Sequence, residues 1–174
     1  MPTGNSWTIS PSRVYEYKHP AGKGGKYSIN DMYRLSENFT LEEFLSSTTA
    51  DRLGIVNILV PGIDVYEINN LQLLCSCTLQ PIRRFLDEAV IITSGYRCPL
   101  LNDAVGGVDN SDHVEGMAAD FTFSSFDKRW FEVVVLLVSS PHIPFDQLII
   151  YDTFFHVSLS PRKRRQVIDK RKRK

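Results

Sequence analysis

With 174 residues, 43% of them apolar and 23% charged, the chain has room for one domain around a single core. No apolar run reaches the ~18–20 residues of a membrane span, and Met1 to Ser10 lack the apolar stretch of a signal peptide, so synthesis in the cytoplasm without one is expected. The net charge of zero hides a division: Pro161 to Lys174 hold nine Lys or Arg against one acid, Asp169, and the rest of the chain is correspondingly acidic.

In chain order, residues 1–36 read as an extended arm. They carry Pro2, Pro11, Pro20 and the Gly-rich run Ala21 to Gly25, with short strands expected around Val14 to Tyr17. A compact domain is expected over residues 37–160. Thr40 followed by Glu43 is a capping-box pattern that should start a helix. A longer helix is expected from Val65 to Glu88, where Ile68, Leu71, Leu74, Cys75, Thr78, Ile82 and Leu86 recur every three to four residues. Pro81 should kink or break it.

Ala89 to Thr93 is a β-branched run of strand type. Gly116 to Phe123 reads as a second strand, with Ala118, Asp120 and Thr122 on one face and Ala119, Phe121 and Phe123 on the other. Asp127 to Ser139 is an apolar helix in which Phe131, Val134, Val135 and Val138 share a side. Strands Gln147 to Tyr151 and Phe155 to Leu159 follow, joined by the turn Asp152-Thr153-Phe154. This order predicts an α+β fold: a small antiparallel sheet with helices packed on one side. Residues 161–174 read as a basic, disordered tail, with attachment to an anionic polymer as its functional alternative. Cys75, Cys77 and Cys98 have no framework spacing, and the Cys75-x-Cys77 pair, in an apolar helical run, is expected to fill core.

Three polar residues sit awkwardly in this pattern. Asp120 lies mid-strand between Ala119 and Phe121, where a carboxylate is costly to bury unless paired or bound to a cation. His113 closes the Gly-rich loop Val105 to Asn110, and His156 is flanked by Phe155 and Val157. Two imidazoles and one carboxylate make a three-ligand zinc set that keeps a position open for water. Each residue alone also fits a plainer role, as a satisfied core or loop histidine or an edge-strand aspartate.

Ser111-x-His113-x-x-Gly116-x-Ala118-x-Asp120 resembles the metal motif of the zinc D-Ala-D-Ala carboxypeptidase family, which includes phage endolysins. Ser94-Gly95-Tyr96-Arg97, with Pro99, Leu101-Asn102 and Gly106-Gly107, resembles the segment before that motif, and Phe145 to Ile149 with His156-Val157-Ser158 resembles its closing segment. The resemblance covers about Phe39 to Ser160. It implies one Zn2+ held by His113, Asp120 and His156, with Arg97 on the substrate carboxylate or carbonyl oxygen and Ser94 orienting that arginine or the substrate. It also implies hydrolysis of a peptide bond in peptidoglycan stem peptides, by a carboxypeptidase or an endopeptidase, at the cell wall or as part of a virion.

One position departs from the family. Where many members carry an acidic general base, three residues before the last histidine, this chain has Thr153. Asp152 is the nearest substitute base, with Asp146 and Glu115 as fallbacks. The departure keeps open a second expectation, a non-catalytic, metal-containing binding or structural module on the same fold.

Overall fold

The computed structural model describes residues 7–9, 15–17, 25–27 and 33–172. The chain divides into two compact units, Met1–Tyr33 and Arg34–Lys174. In the first, β1 (Trp7–Ile9), β2 (Tyr15–Tyr17) and β3 (Gly25–Tyr27) pair antiparallel in that order, with Trp7 opposite Tyr17 and Tyr15 opposite Tyr27. β2 falls where short strands are expected. Val14 and the stretches of the arm at 1–6, 10–13, 18–24 and 28–32 lie outside the described residues.

The second unit is α+β. Its helix α1 (Leu41–Leu45) starts at the capping box, where the Thr40 backbone N–H and hydroxyl both donate to the Glu43 carboxylate, at 2.8 and 3.2 Å. Helix α2 (Thr48–Leu53) is capped by the Ser47 hydroxyl, which accepts from the Ala50 N–H. The long helix comes as α3 (Val65–Leu74), a π-helical turn (Cys75–Leu79) and α4 (Gln80–Leu86). Pro81 therefore does not end the helix. The widened turn just before it accommodates a residue with no N–H to give, and the segment runs on to Asp87.

The sheet contains β4 (Val90–Ser94), β5 (Ala118–Phe123), β6 (Gln147–Ile150), β7 (Phe155–Ser158) and β8 (Gln166–Asp169), in the order β4-β5-β7-β6-β8. Every pairing is antiparallel except that of β8 with β6, which is parallel. The sheet is thus mixed rather than wholly antiparallel. Its fifth strand comes from the segment expected to be a disordered tail, and the reason is visible in the contacts of that segment. Arg162 and Arg164 pair with Asp146, and Arg165 donates to the carbonyls of Leu137, Ser140 and Ile143 while lying 4.6 Å above the Phe145 ring. Arg171 lies 3.5 Å above the Trp130 ring. Four of the nine basic side chains are thereby used within the fold. Arg173 and Lys174 lie outside the described residues.

One face of the sheet forms the core. Phe121, Phe123, Phe155, Val157, Leu148 and Ile150 pack with Leu71, Leu74, Leu79 and Ile82 of the long helix and with α6 (Phe126–Ser139). On α6 the buried side is Phe126, Val133 and Leu137, with Trp130 half-buried, whereas Phe131, Val135 and Val138 face solvent. Of the four residues read as sharing a side, Phe131, Val135 and Val138 are therefore exposed, and Val134 packs against the core. Residues 130–138 are apolar almost all round, so period alone does not choose a side, and the large rings of Phe126 and Trp130 decide it. Cys75 is buried, and burial pushes its thiol well above the usual range, as suits a packing residue. Among the described residues no helix is long and apolar enough to cross a membrane.

Candidate metal centre

The opposite face of the sheet carries the polar residues. In the antiparallel register Asp120 on β5 stands opposite His156 on β7, and across its other edge opposite Ser94 on β4. Alternation along β5 and β7 puts Asp120 and His156 on the face away from Phe121 and Phe155. Three strands thus set three functional side chains in one row.

The fourth, His113, arrives from the loop that follows α5 (Pro99–Ala104), a short helix that the sequence reading does not anticipate. The loop is pinned locally. Asn102 Nδ2 donates to the Val108 carbonyl, and a Cβ on Gly107 would meet Asn102 Oδ1 at 2.1 Å, so a side chain there would have to displace the buried Asn102. The His113 N–H donates to the Ser111 hydroxyl, making Ser111 a loop-shaping residue. The His113 carbonyl accepts from the Arg97 N–H at 3.2 Å. Gly95 completes the seat: a side chain there would strike the Phe44 backbone at 2.5 Å, and its carbonyl faces His113.

That carbonyl fixes the chemistry of the ring. His113 Nδ1 lies 2.7 Å from the Gly95 oxygen, which can only accept, so Nδ1 carries the hydrogen. Burial lowers the His113 pKa below its usual value and outweighs the pull of Asp120, so the ring stays neutral with a lone pair on Nε2. Nε2 points at His156 Nδ1 (3.2 Å) and Asp120 Oδ1 (3.3 Å), and these two lie 2.8 Å apart. Burial pushes the Asp120 carboxyl up, but the polar groups around it more than offset this and hold it well below the usual carboxylate range, with His156 Nδ1 placed to donate to Oδ1 at 2.8 Å. Three electron-rich atoms therefore converge with too few hydrogens between them. A tetrahedral zinc ion with bonds of ~2.0–2.1 Å needs ligand atoms about 3.3 Å apart, close to two of the three separations here. His113, Asp120 and His156 fit such an ion, and among the described residues they are the one His/Cys/Asp/Glu group able to hold a metal.

Arg97 borders the cluster. Its Nε–H donates to the Ser94 hydroxyl at 2.9 Å and its Nη2 to Asp120 Oδ2 at 2.8 Å. None of the described residues bonds its Nη1. The structure brings Ser94, Arg97, His113, Asp120 and His156 together, but does not place Asp152 with them. The Asp152 carboxylate accepts from the Lys172 N–H at 3.0 Å. It lines a cleft of about 360 Å³ with Phe126, Asp127, Trp130, Asp169 and Arg171. Phe126 packs on Phe123 and Phe155, so this cleft borders the core side of the sheet. Of the fallback bases, Asp146 is fully buried against Arg162 and Arg164, and the Glu115 backbone carbonyl accepts from Asn70. Sequence reasoning misses the Gly95 carbonyl as the anchor of His113. A glycine directly after the strand of Ser94 is the signal that could have found it.

Two imidazoles and a carboxylate gathered on an α+β sheet are the donor set of a metal-dependent hydrolase. Residues 37–158 match the family model described as Peptidase M15, and the chain belongs to that family of zinc D-Ala-D-Ala carboxypeptidase-like metallopeptidases, whose members are zinc-dependent. No curated protein matches the chain.

Proposed function

We propose that this chain is a zinc peptidase acting on peptidoglycan stem peptides, as a D-Ala-D-Ala carboxypeptidase or an endopeptidase, with His113, Asp120 and His156 holding the ion. The observation that carries the reading is the fixed tautomer of His113, which turns a lone pair toward Asp120 and His156 and leaves a nest suited only to a cation. Zinc, when bound, supplies a Lewis acid that polarises the scissile carbonyl and makes water acidic enough to attack near neutral pH. The protein's part is positional. Arg97, fixed by Ser94 and Asp120, offers Nη1 to a terminal carboxylate or to the carbonyl oxygen as it gains charge. The same reading includes lysis of a cell wall by a phage, as a released enzyme or a virion part.

The test is direct. Purified full-length protein should carry about one zinc and release product from stem peptides, read by mass spectrometry. Chelation or His113→Ala should lower turnover by more than about a hundredfold, beyond the cost of losing a group that merely supports a ligand. Full activity in His113→Ala would refute the reading.

One observation favours a second reading, a metal-holding binding module without hydrolysis: among the described residues no carboxylate besides Asp120 joins the group, and Asp152 accepts from the Lys172 backbone N–H. Zinc binding with no product from any stem peptide would establish it. If Asp152 is the base after all, Asp152→Asn should lose turnover while keeping zinc affinity.

A further inference from the structure

The family match ends at Ser158, yet the chain continues through a structured segment that touches the metal-centre loop. Arg162 is the link. Its Nη2 donates to Asp112 Oδ2, and its Nε to Asp146 Oδ2 at 3.2 Å and to the Ser160 hydroxyl at 3.0 Å. Asp112 directly precedes His113. Asp146 is fully buried, and its N–H donates to the Ser158 carbonyl at 2.7 Å, two residues beyond His156. A single guanidinium therefore ties the loop bearing one imidazole to the strand bearing the other. The backbone repeats the connection, since Leu159 donates to the Met117 carbonyl and Met117 to that of Asp112, both at 2.8 Å.

We infer that Arg162 is a positioning residue for the metal centre, acting through Asp112 to hold His113 in register with Asp120 and His156. The inference rests on the zinc reading above and extends it beyond the family's matched residues. The physical basis is pre-organisation. A ligand carried on a loop must be ordered when the ion binds, and a charge-assisted brace removes that cost beforehand. Arg162 suits the task because its planar fork reaches two carboxylates at once. Its loss also spares the fold, because Asp146 keeps Arg164, whose backbone N–H and Nη2 donate to it at 2.8 and 2.7 Å.

The experiment measures zinc affinity of the full chain by competition with a chromophoric chelator, alongside urea unfolding of the metal-free protein. Arg162→Ala should weaken zinc binding about tenfold, the lower end of what supporting groups contribute. Asp112→Asn should do the same, and the double variant should be no worse than either single one, because both remove one interaction. Arg165→Ala is the control. Its bonds go to the carbonyls of Leu137, Ser140 and Ile143, so it should lower stability and leave zinc affinity alone. Unchanged affinity in Arg162→Ala, an equal loss in Arg165→Ala, or additive losses in the double variant would each overturn the inference. If Arg162→Ala does not fold, Asp112→Asn decides the matter by itself. A wild-type chain that binds no zinc defeats the zinc reading itself, whereas zinc binding unaffected by Arg162→Ala defeats only the brace.

Discussion

Asp120 and Asp146 make an instructive pair. Both are sequestered from water, and both are held ionised below the usual carboxylate range against the upward push of burial. The company they keep differs. Asp146 is surrounded by donors: Arg164 through its backbone N–H, Nε and Nη2, and Arg162 through Nε. Guanidinium groups keep their protons at any working pH, so this site is closed to a cation. Asp120 meets one guanidinium on Oδ2, but on Oδ1 it meets two imidazoles, one of which can offer only a lone pair. A buried carboxylate ringed by donors is structural. A buried carboxylate facing acceptors is waiting for a positive charge.

Making the same substitution at both sites should separate them most strongly. Asp120→Asn should weaken zinc binding by more than about a hundredfold, since it removes the anionic ligand itself. Asp146→Asn should keep a zinc site, weaker at most by the factor seen for Arg162→Ala, and instead lose stability. The expected loss is about 2 kcal/mol, less than for a fully buried pair because Arg162 and Arg164 are each 42% exposed. Zinc titration and urea unfolding on both variants read the two effects. Zinc binding abolished by Asp146→Asn would erase the distinction between the sites.

Acid should give a smaller effect. The Asp146 pKa is lower in the folded chain than in the unfolded one, so its stabilising contribution is complete above about pH 4, the ordinary aspartate value. It drains away as the pH falls from there through the folded-state value. Unfolding free energy measured in urea at stepped pH should therefore decline less steeply below about pH 4 in Asp146→Asn than in the wild type. Parallel slopes would show that the arginines do not hold this carboxyl down.

Much of this contrast was legible in the sequence on one side only. Asp120 between Ala119 and Phe121, His156 between Phe155 and Val157, and the ordered motifs around them announced a polar face on an apolar strand, and the register of β5 with β7 put them opposite each other. The Asp146 side was hidden. Its partners lie sixteen and eighteen residues on, in a segment whose charge density reads as a solvated tail, and composition does not reveal that arginines spaced this way will turn back onto a carboxylate. The buried face of α6 was obscured for a related reason: with apolar residues on every side, only the packing of Phe126 and Trp130 selects one. Thr153 marked a departure from the family, but the destination of Asp152 depends on where Lys172 ends up, a contact twenty residues away.

The finest distinction lies at the second oxygen of Asp120. Arg97 holds Oδ2 with Nη2 while the Ser94 hydroxyl accepts from its Nε–H, and on the proposed reading the serine acts by aiming the guanidinium. Ser94→Ala removes one charge-assisted hydrogen bond from an arginine that keeps its ion pair, a change of about 1 kcal/mol. That corresponds to about a fivefold loss in kcat/KM, seen mainly as a higher KM if Arg97 grips the substrate carboxylate. Zinc affinity should be unchanged, because the group of His113, Asp120 and His156 is intact. A loss as large as that of Arg97→Ala would mean that Ser94 meets the reacting atoms directly, and a drop in zinc affinity would mean that Arg97 guards the carboxylate's geometry more than it serves the substrate.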